Sequence, residues 1–251
     1  EFFIEMAAQA VCEAWDNRAE GGIGYGYGYA VVAHSRRVVY FKEEKLASNK
    51  RSFMTPSGYG VMYGKTNDPL FSHYEAGADH FLNLMFTFDD AQKLTGIVVN
   101  VPCPSQLSEH FTKLSADYWH DVRELVKTEF GPDVKIVTQC GCAGDLSPRI
   151  LHYGKAQARR MKLKYDMGYD PAQLKSLNEH DINKRMSERK DIAERIVQGA
   201  KEIYGWAKKE IFTHVPLRHR VWTQNMSRRL ITEEELQECE RKLQELEGQI
   251  P

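Results

Sequence analysis

The most distinctive candidate for chemistry is the segment from Gln139 to Arg149, which reads Gln-Cys-Gly-Cys-Ala-Gly-Asp-Leu-Ser-Pro-Arg. Its small residues allow the backbone to bend sharply and to offer N–H groups to an anion or an oxyanion. Asp145 and Ser147 add polar side chains within that bend. In the structural alternative, Asp145 caps a turn, Ser147 is an N-cap and the cysteines fill the interior. The spacing alone leaves both interpretations open.

The elements around this segment should bring it close to a second turn. Alternating apolar residues predict strands over 94–101 and 134–139, and helical periodicity predicts a helix over 108–130. Strand, helix and strand at this spacing form a βαβ unit, so the two strands should run parallel. Ligand crevices form at the carboxyl edge of parallel strands, where the loops after both strands should therefore face each other.

The second turn runs from Pro102 to Gln106, and two prolines fix how it presents Cys103. The chain has five cysteines, an odd number that does not indicate a disulfide framework and favours a reducing compartment. Cys140 and Cys142 are separated by one residue, which matches neither the redox nor the zinc-knuckle spacing. No Gly-x-Ser-x-Gly elbow is present, so a conventional serine hydrolase triad is not supported.

The sequence predicts an α/β fold, with a mixed sheet around the central βαβ unit and a helix-rich, charged C-terminal part, as one domain over 1–251. The glycine-rich residues 21–29 favour either a flexible turn or a strand packed closely against another backbone. Residues 43–78 should form a long surface excursion. The other predicted elements are a helix over 3–16, strands over 29–33, 38–41, 81–88 and 211–222, a helix over 188–209, and a helix that begins at Thr232 with a capping box to Glu235.

Composition excludes several classes of function. Lysine and arginine (34) nearly balance aspartate and glutamate (35), and the basic residues are mixed with acidic ones, so nucleic acid is not an expected partner. No apolar run is long enough to span a bilayer. No signal peptide is visible and a cytoplasmic location is favoured, although the chain begins at Glu1 and its true N-terminus is expected to be missing.

The motif Gly144-Asp145-Leu146-Ser147-Pro148 closely resembles the Gly-Asp-Val-Ser-Pro motif of the neutral/alkaline non-lysosomal ceramidases and their uncharacterised bacterial relatives. The order of the preceding strands and turns is also similar. Upstream, Ala33-His34-Ser35-Arg36-Arg37 resembles the family's Asn-Arg segment, with Ser35 in place of Asn and Arg36 in place of Arg. The resemblance covers about residues 1–150 and extends only loosely over 151–251.

The resemblance implies a zinc-dependent amidase, in which a metal-activated water attacks the carbonyl of a small-molecule or lipid-like substrate. By position, Ser147 would lie beside the substrate, Arg36 would support the developing negative charge and Asp145 would hold the loop. The substrate would be bound by three further residues, Gly144, Cys142 and Gln139. The alternative for Arg36 is a surface arginine in a turn.

The chain also departs from the family pattern. It has no His-x-His segment upstream, and Cys103-Pro104-Ser105 stands where the family has His-Pro-Thr-Ser, which makes Cys103 the candidate metal ligand. The remaining zinc ligands are expected outside this chain, as for a piece of a longer protein. The nine histidines, including His110 and His120, do not form a self-contained site.

Two rival functions remain open. The first is a non-catalytic ligand-binding domain that kept the fold and lost the metal site. The second is a Cys103 nucleophile, which would need a histidine to activate it, and none is visibly positioned to do so.

Overall fold

The computed structural model describes residues 2–41, 52–55, 58–109, 111, 114–165, 179–227 and 230–247, without the side chains of 52–59 and 179–184. The chain divides into two compact units, Glu1–His214 and Val215–Pro251. The first unit contains, in chain order, α1 (Phe2–Asp16), β1 (Gly21–Tyr29), β2 (His34–Ser35), β3 (Arg37–Tyr40), β4 (Ser52–Thr55), β5 (Gly58–Met62), β6 (Phe71–Tyr74), β7 (Phe81–Asp89), β8 (Leu94–Val101), α2 (Tyr118–Phe130), β9 (Lys135–Cys140), β10 (Leu146–Ser147), α3 (Gly154–Tyr165) and α4 (Glu179–Ala207). The second unit contains α5 (Glu233–Glu247).

The main sheet has four strands in the order β1-β7-β8-β9. The pairs β1–β7 and β7–β8 are antiparallel, and β8–β9 is parallel. Helix α2 makes the connection between the two parallel strands. The predicted hairpin, the βαβ unit and the mixed α/β class with a helix-rich C-terminal part are therefore confirmed.

The hydrophobic core lies between this sheet and two helices, α2 and α4. Leu82 and Phe86 on β7 are fully buried, because alternate side chains of a strand point to the same face. Val122 on α2 and Ile196 on α4 are equally inaccessible, and both belong to the same apolar cluster. Burial of each such side chain stabilises the fold by about 1.5–3 kcal/mol relative to leaving it exposed to solvent.

The glycine-rich segment is strand β1, so the second of its two predicted forms is confirmed. Helix α4 packs directly against the backbone of this strand. A Cβ atom on Gly26 would come within 2.4 Å of the Trp206 ring and 2.8 Å of Ile203. Glycine at this position therefore allows the helix and the strand to approach each other closely.

The predicted surface excursion over 43–78 is wrong in its described part, because β4, β5 and β6 lie within it. These strands join β3 in a second sheet with the order β4-β5-β3-β6. Val38, Tyr40 and Val61 form its small core. The glycines and polar residues of this segment have low β propensity, so its strands could not be predicted from the sequence. β propensity depends on packing partners, which here come from β3. Residues 42–51, 56 and 57 lie outside the description.

Three other predicted elements differ from the structure. Helix α2 begins at Tyr118 rather than at residue 108, because the Asp117 carboxylate accepts hydrogen bonds from the N–H groups of Tyr118 (2.8 Å) and Ser108 (2.6 Å) and caps the helix there. Residues 30–33 are not a strand. Residues 211–222 contribute one bridge, from Phe212 to Ile23, because the rest of that segment has no strand to pair with in the described chain.

The described part of the second unit is dominated by α5. Its capping box is confirmed, because Thr232 N–H donates to Glu235 (3.1 Å) and Glu235 N–H donates to the Thr232 hydroxyl (3.2 Å). Helix α4 begins at Glu179 and ends at Ala207, so it covers most of the helix predicted over 188–209. No helix in the described ranges is both long enough and apolar enough to cross a membrane.

Candidate functional site

The loops that follow β8 and β9 lie side by side, as predicted. Gly141 N–H donates to the carbonyl of Val101 (3.0 Å), which joins the two loops where they leave the sheet. Farther along, the Arg149 guanidinium donates to the carbonyl of Gln106 (2.7 Å) and forms an ion pair with Glu109 (2.8 Å). The parallel strands therefore bring the Cys103 turn and the Ser147 turn to the same edge of the sheet.

Ser147 is buried, with 1% of its surface exposed. Its hydroxyl accepts a hydrogen bond from Arg149 N–H (3.1 Å), which fixes the turn at Pro148. Strand β10, which contains Ser147, pairs with β2 so that Ser147 lies opposite His34. In this conformation Ser147 holds the loop, and its hydroxyl does not face solvent.

Arg36 links the same loop to the second sheet. Its guanidinium donates to the carbonyl of Gly144 (2.7 Å) and to the Tyr63 hydroxyl (3.4 Å), and its N–H donates to the carbonyl of Asp145 (3.0 Å). The guanidinium carbon lies 5.7 Å from the centre of the Tyr63 ring. A permanent positive charge is therefore fixed beside the bend at Gly144 and Asp145.

The bend itself presents backbone N–H groups. Leu146 N–H closes a turn onto the carbonyl of Ala143 (3.1 Å). Within the described chain, the N–H groups of residues 142–145 donate to no protein acceptor. These residues are exposed or half-buried. Successive N–H groups of this kind form concavities that bind anions.

The three candidate substrate-binding residues are all exposed. Gln139 lies at the end of β9, where its side-chain oxygen accepts from the Asn100 amide (3.3 Å). Cys142 and Gly144 lie in the bend, and a Cβ atom on Gly144 would meet nothing within 4 Å. All three are therefore open to a ligand that approaches the carboxyl edge of the sheet.

Cys103 lies below the surface, with no exposed area. Its thiol donates to the carbonyl of Val32 (3.4 Å), and its carbonyl accepts from the Tyr118 hydroxyl (2.5 Å). Burial raises the pKa of the Cys103 thiol to about 12. Catalysis by a nucleophilic cysteine needs an accessible thiolate, so this buried thiol does not fit that role.

The described residues do not otherwise provide a metal centre. No group of three or more histidine, cysteine, aspartate or glutamate side chains converges within that part of the chain. His110 lies outside the described residues. The described residues therefore do not supply a set of ligands for the zinc that the motif resemblance implies.

His34 is a feature that the sequence analysis missed. It lines a cavity of about 200 Å³ together with Pro148, Gln157, Asp191 and Arg195. Burial, followed by the charges of His80 and Arg195, lowers the pKa of His34 to about 4, so its imidazole is neutral at pH 7. Its position in the motif gave no signal, because the cavity depends on residues of α3 and α4 that are distant in sequence.

Asp191 organises the charged side of that cavity. Its carboxylate accepts hydrogen bonds from Arg160 (2.5 and 2.7 Å), Lys164 (2.8 Å) and Arg195 (3.1 Å). Burial alone would raise the pKa of Asp191, but the hydrogen bonds from Arg160 and Lys164 outweigh it and hold that pKa well below its usual range. The cluster fixes α3 against α4 and leaves the carboxylate charged.

Comparisons with known proteins find solved structures of similar fold but no matching family model or curated sequence. The chain is similar in structure to part of the neutral ceramidase of Pseudomonas aeruginosa, with 17% identity and a TM-score of 0.47 over 80% of this chain and 25% of that one. It is also similar to a ceramidase complexed with C2, with 18% identity and a TM-score of 0.43 over 76% of this chain and 23% of that one. The chain thus spans about a quarter of the length of these two structures.

Proposed function

We propose that this chain forms part of a hydrolase that cleaves an amide (N-acyl) or related bond, and that its loop from Gln139 to Arg149 stabilises the charge of the transition state. The observation that carries the proposal is the run of N–H groups at residues 142–145, at the carboxyl edge of two parallel strands. Attack on an acyl group places negative charge on the carbonyl oxygen. A single preorganised donor to that oxygen contributes about 3–4 kcal/mol to catalysis.

Arg36 supplies the charge that makes this bend suited to an oxyanion. Its guanidinium is held 2.7 Å from the Gly144 carbonyl oxygen, so it is oriented before any substrate binds. Ser147 acts as a positioning residue, because its hydroxyl accepts from Arg149 N–H. Asp145 contributes through its backbone carbonyl, which accepts from the Arg36 N–H and holds the bend against β2. Gly144, Cys142 and Gln139 then border the substrate, which belongs to the small-molecule or lipid-like N-acyl compounds.

Charge stabilisation is the part of the reaction that this chain supplies. The Gly-Asp-Leu-Ser-Pro motif resembles that of zinc-dependent enzymes, but Cys103 is a buried, protonated thiol. No step is therefore assigned to a metal held by Cys103.

Hydrolysis of a series of N-acyl amides with increasing acyl length tests this proposal. The remaining zinc ligands are expected outside this chain, so the test uses the full-length hydrolase. We expect its turnover to be lost on chelation and reduced by Ser147→Ala, which removes the acceptor for Arg149 N–H. Ser72→Ala is the matched control, since the Ser72 hydroxyl contacts only its neighbour His73 within the described chain. Turnover that is unchanged both by chelation and by Ser147→Ala would reject a metal-dependent hydrolase that uses this loop.

The second candidate is a non-catalytic ligand-binding domain, which the environment of Cys103 favours. A cysteine that stands in the place of a ligating histidine, and is both buried and protonated, is consistent with a lost metal site. Elemental analysis of the purified protein separates the two candidates. Stoichiometric zinc would reject the binding domain, whereas absence of metal together with tight binding of an uncleaved N-acyl compound would support it.

A further inference from the structure

The cavity of about 200 Å³ beside the turn after Ser147 is lined by both apolar and polar side chains. The apolar part of its lining includes Val32, Ile150 and Ile192, and two of these, Val32 and Ile192, are buried in the core. An apolar cavity of about 150 Å³ is large enough to hold benzene. The space here therefore admits a molecule of about the size of a benzene ring with one polar substituent.

The imidazole of His34 lines this cavity without a hydrogen-bond partner in the described chain. Polar groups inside folded proteins nearly always have a partner in the protein, in ordered water or in a ligand. Burial, followed by the charges of His80 and Arg195, lowers the pKa of His34 to about 4. The ring is therefore neutral at pH 7 and offers one N–H donor.

Arg195 and Gln157 supply two further donors to the same cavity. The Arg195 guanidinium uses Nε to bind Asp191 (3.1 Å) and Nη1 to bind the carbonyl of Val31 (3.3 Å). Its Nη2 donates to no acceptor among the described residues, and the same holds for the side-chain amide of Gln157. Three donors, one each from β2, α3 and α4, thus line one cavity and have no acceptor in the described protein.

The carboxylates that line the cavity are already paired with cations. Asp191 accepts from three cationic side chains, and Glu188 forms an ion pair with Arg185 (2.8 Å). Lys164, one of the partners of Asp191, also pairs with Glu194. Four positive charges in this network thus face three negative ones, which leaves one positive charge in excess. An excess positive charge together with unused donors favours an anionic ligand.

We propose that this cavity binds a small carboxylic acid with a short apolar body, in its ionised form. The carboxylate accepts hydrogen bonds from Arg195, His34 and Gln157, and the apolar body packs against the apolar part of the lining. Hydrogen bonds between a guanidinium and a carboxylate are about twice as strong as those between neutral groups, which gives the site its preference for the ionised acid. Binding here does not depend on the proposed hydrolase activity, because none of these donors belongs to the bend at residues 142–145.

Titration of the purified protein with benzoate, followed by NMR of the histidine side chains, tests this site. We expect saturable binding of one benzoate with a Kd of about 1 mM or below. The imidazole resonances of His34, which are assigned from their loss in His34→Gln, should shift as benzoate binds. Benzamide has nearly the same shape and no charge, and it should bind at least about 10-fold more weakly.

Two variants show whether benzoate occupies this cavity. Arg195→Met and Gln157→Leu should each weaken benzoate binding at least about 10-fold, because each removes a donor to a charged group. Gln157→Leu removes a side chain with no described hydrogen bond, so its fold should remain intact even if Arg195→Met disturbs the pairing of Asp191. Arg159→Met, at an exposed arginine on the same helix as Gln157, is the matched control and should bind benzoate as the wild type does.

Four results would each overturn the site. The first is a wild type that does not bind benzoate saturably, and the second is equal affinity for benzamide and benzoate. The third is binding that leaves the His34 resonances in place, and the fourth is unchanged affinity in both Gln157→Leu and Arg195→Met.

Discussion

The guanidinium of Arg149 lies 2.7 Å from the carbonyl oxygen of Gln106, which joins the turn after Ser147 to the turn after β8. The same side chain pairs with Glu109 at 2.8 Å. Two loops that leave the sheet from neighbouring parallel strands are thus tied together beyond their first residues. This connection keeps the bend at residues 142–145 in one position relative to the Cys103 turn.

We expect Arg149→Met to lower the free energy of unfolding by about 2 kcal/mol, because it removes a charged donor to a half-buried carbonyl and to a carboxylate. Hydrogen exchange of residues 103–109 should accelerate in this variant. Arg159→Met, at an exposed arginine, serves as the control and should leave both quantities unchanged. Equal exchange rates in wild type and Arg149→Met would show that the connection does not hold the loops.

An added methyl group should lower the free energy of unfolding at Gly26 and leave it nearly unchanged at Gly144. Gly26→Ala places a Cβ atom 2.8 Å from Ile203, which is fully buried and cannot move aside. We expect a loss of about 2 kcal/mol in urea denaturation from this overpacking. Gly144→Ala meets nothing within 4 Å and should change stability by less than about 0.5 kcal/mol. Similar losses for both variants would contradict the packing of α4 on β1.

The five cysteines should differ in their reactivity towards iodoacetamide in the native protein at pH 8. Four are exposed, whereas Cys103 is buried with a raised pKa. Peptide mapping by mass spectrometry should therefore show Cys103 unmodified until the protein is denatured. Cys142 should react before Cys140, since burial raises the pKa of Cys140. Early modification of Cys103 would revive the interpretation as a nucleophile.

His34 should make stability depend on pH between about 6.5 and 4. Its pKa is about 4 in the folded protein, below the value of about 6.5 expected after unfolding, so the unfolded chain binds the proton more readily. The stabilisation is complete above pH 6.5 and is lost as the pH falls through 4. The free energy of unfolding should fall by about 3 kcal/mol in total across this range.

Urea denaturation of wild type and His34→Gln across this pH range measures the effect. The difference in unfolding free energy between the two should shrink as the pH falls. His73→Gln, at an exposed histidine, should run parallel to the wild type. A difference that stays constant with pH would show that His34 titrates normally in the folded protein.

The sequence predicted the parts of the fold that depend on local patterns. The hairpin of β7 and β8 and the βαβ unit follow from alternation and helical periodicity over continuous segments. The capping box at Thr232 follows from two residues three positions apart. These features required no knowledge of the neighbours that each element would contact.

Features that depend on distant contacts were not accessible in this way. The start of α2 is decided by Asp117, whose carboxylate also binds Ser108 N–H, and helical periodicity did not reveal that contact. The segment after Phe212 alternates like a strand but lacks a described neighbour to pair with. The cavity beside His34 is formed with α3 and α4, so no motif around His34 could have indicated it.

Turnover of N-acyl amides by the Arg36→Met variant of the full-length protein measures whether the bend at residues 142–145 and the charge of Arg36 stabilise an oxyanion. We predict a fall in kcat/KM of about 100-fold. Arg37→Met removes an equal charge from the adjacent position and is the control. It should retain wild-type turnover, because the Arg37 guanidinium pairs with Glu75 rather than with the bend. Wild-type turnover in Arg36→Met, or no turnover of any N-acyl amide by the full-length wild type, would overturn the role of Arg36 and this bend in hydrolysis.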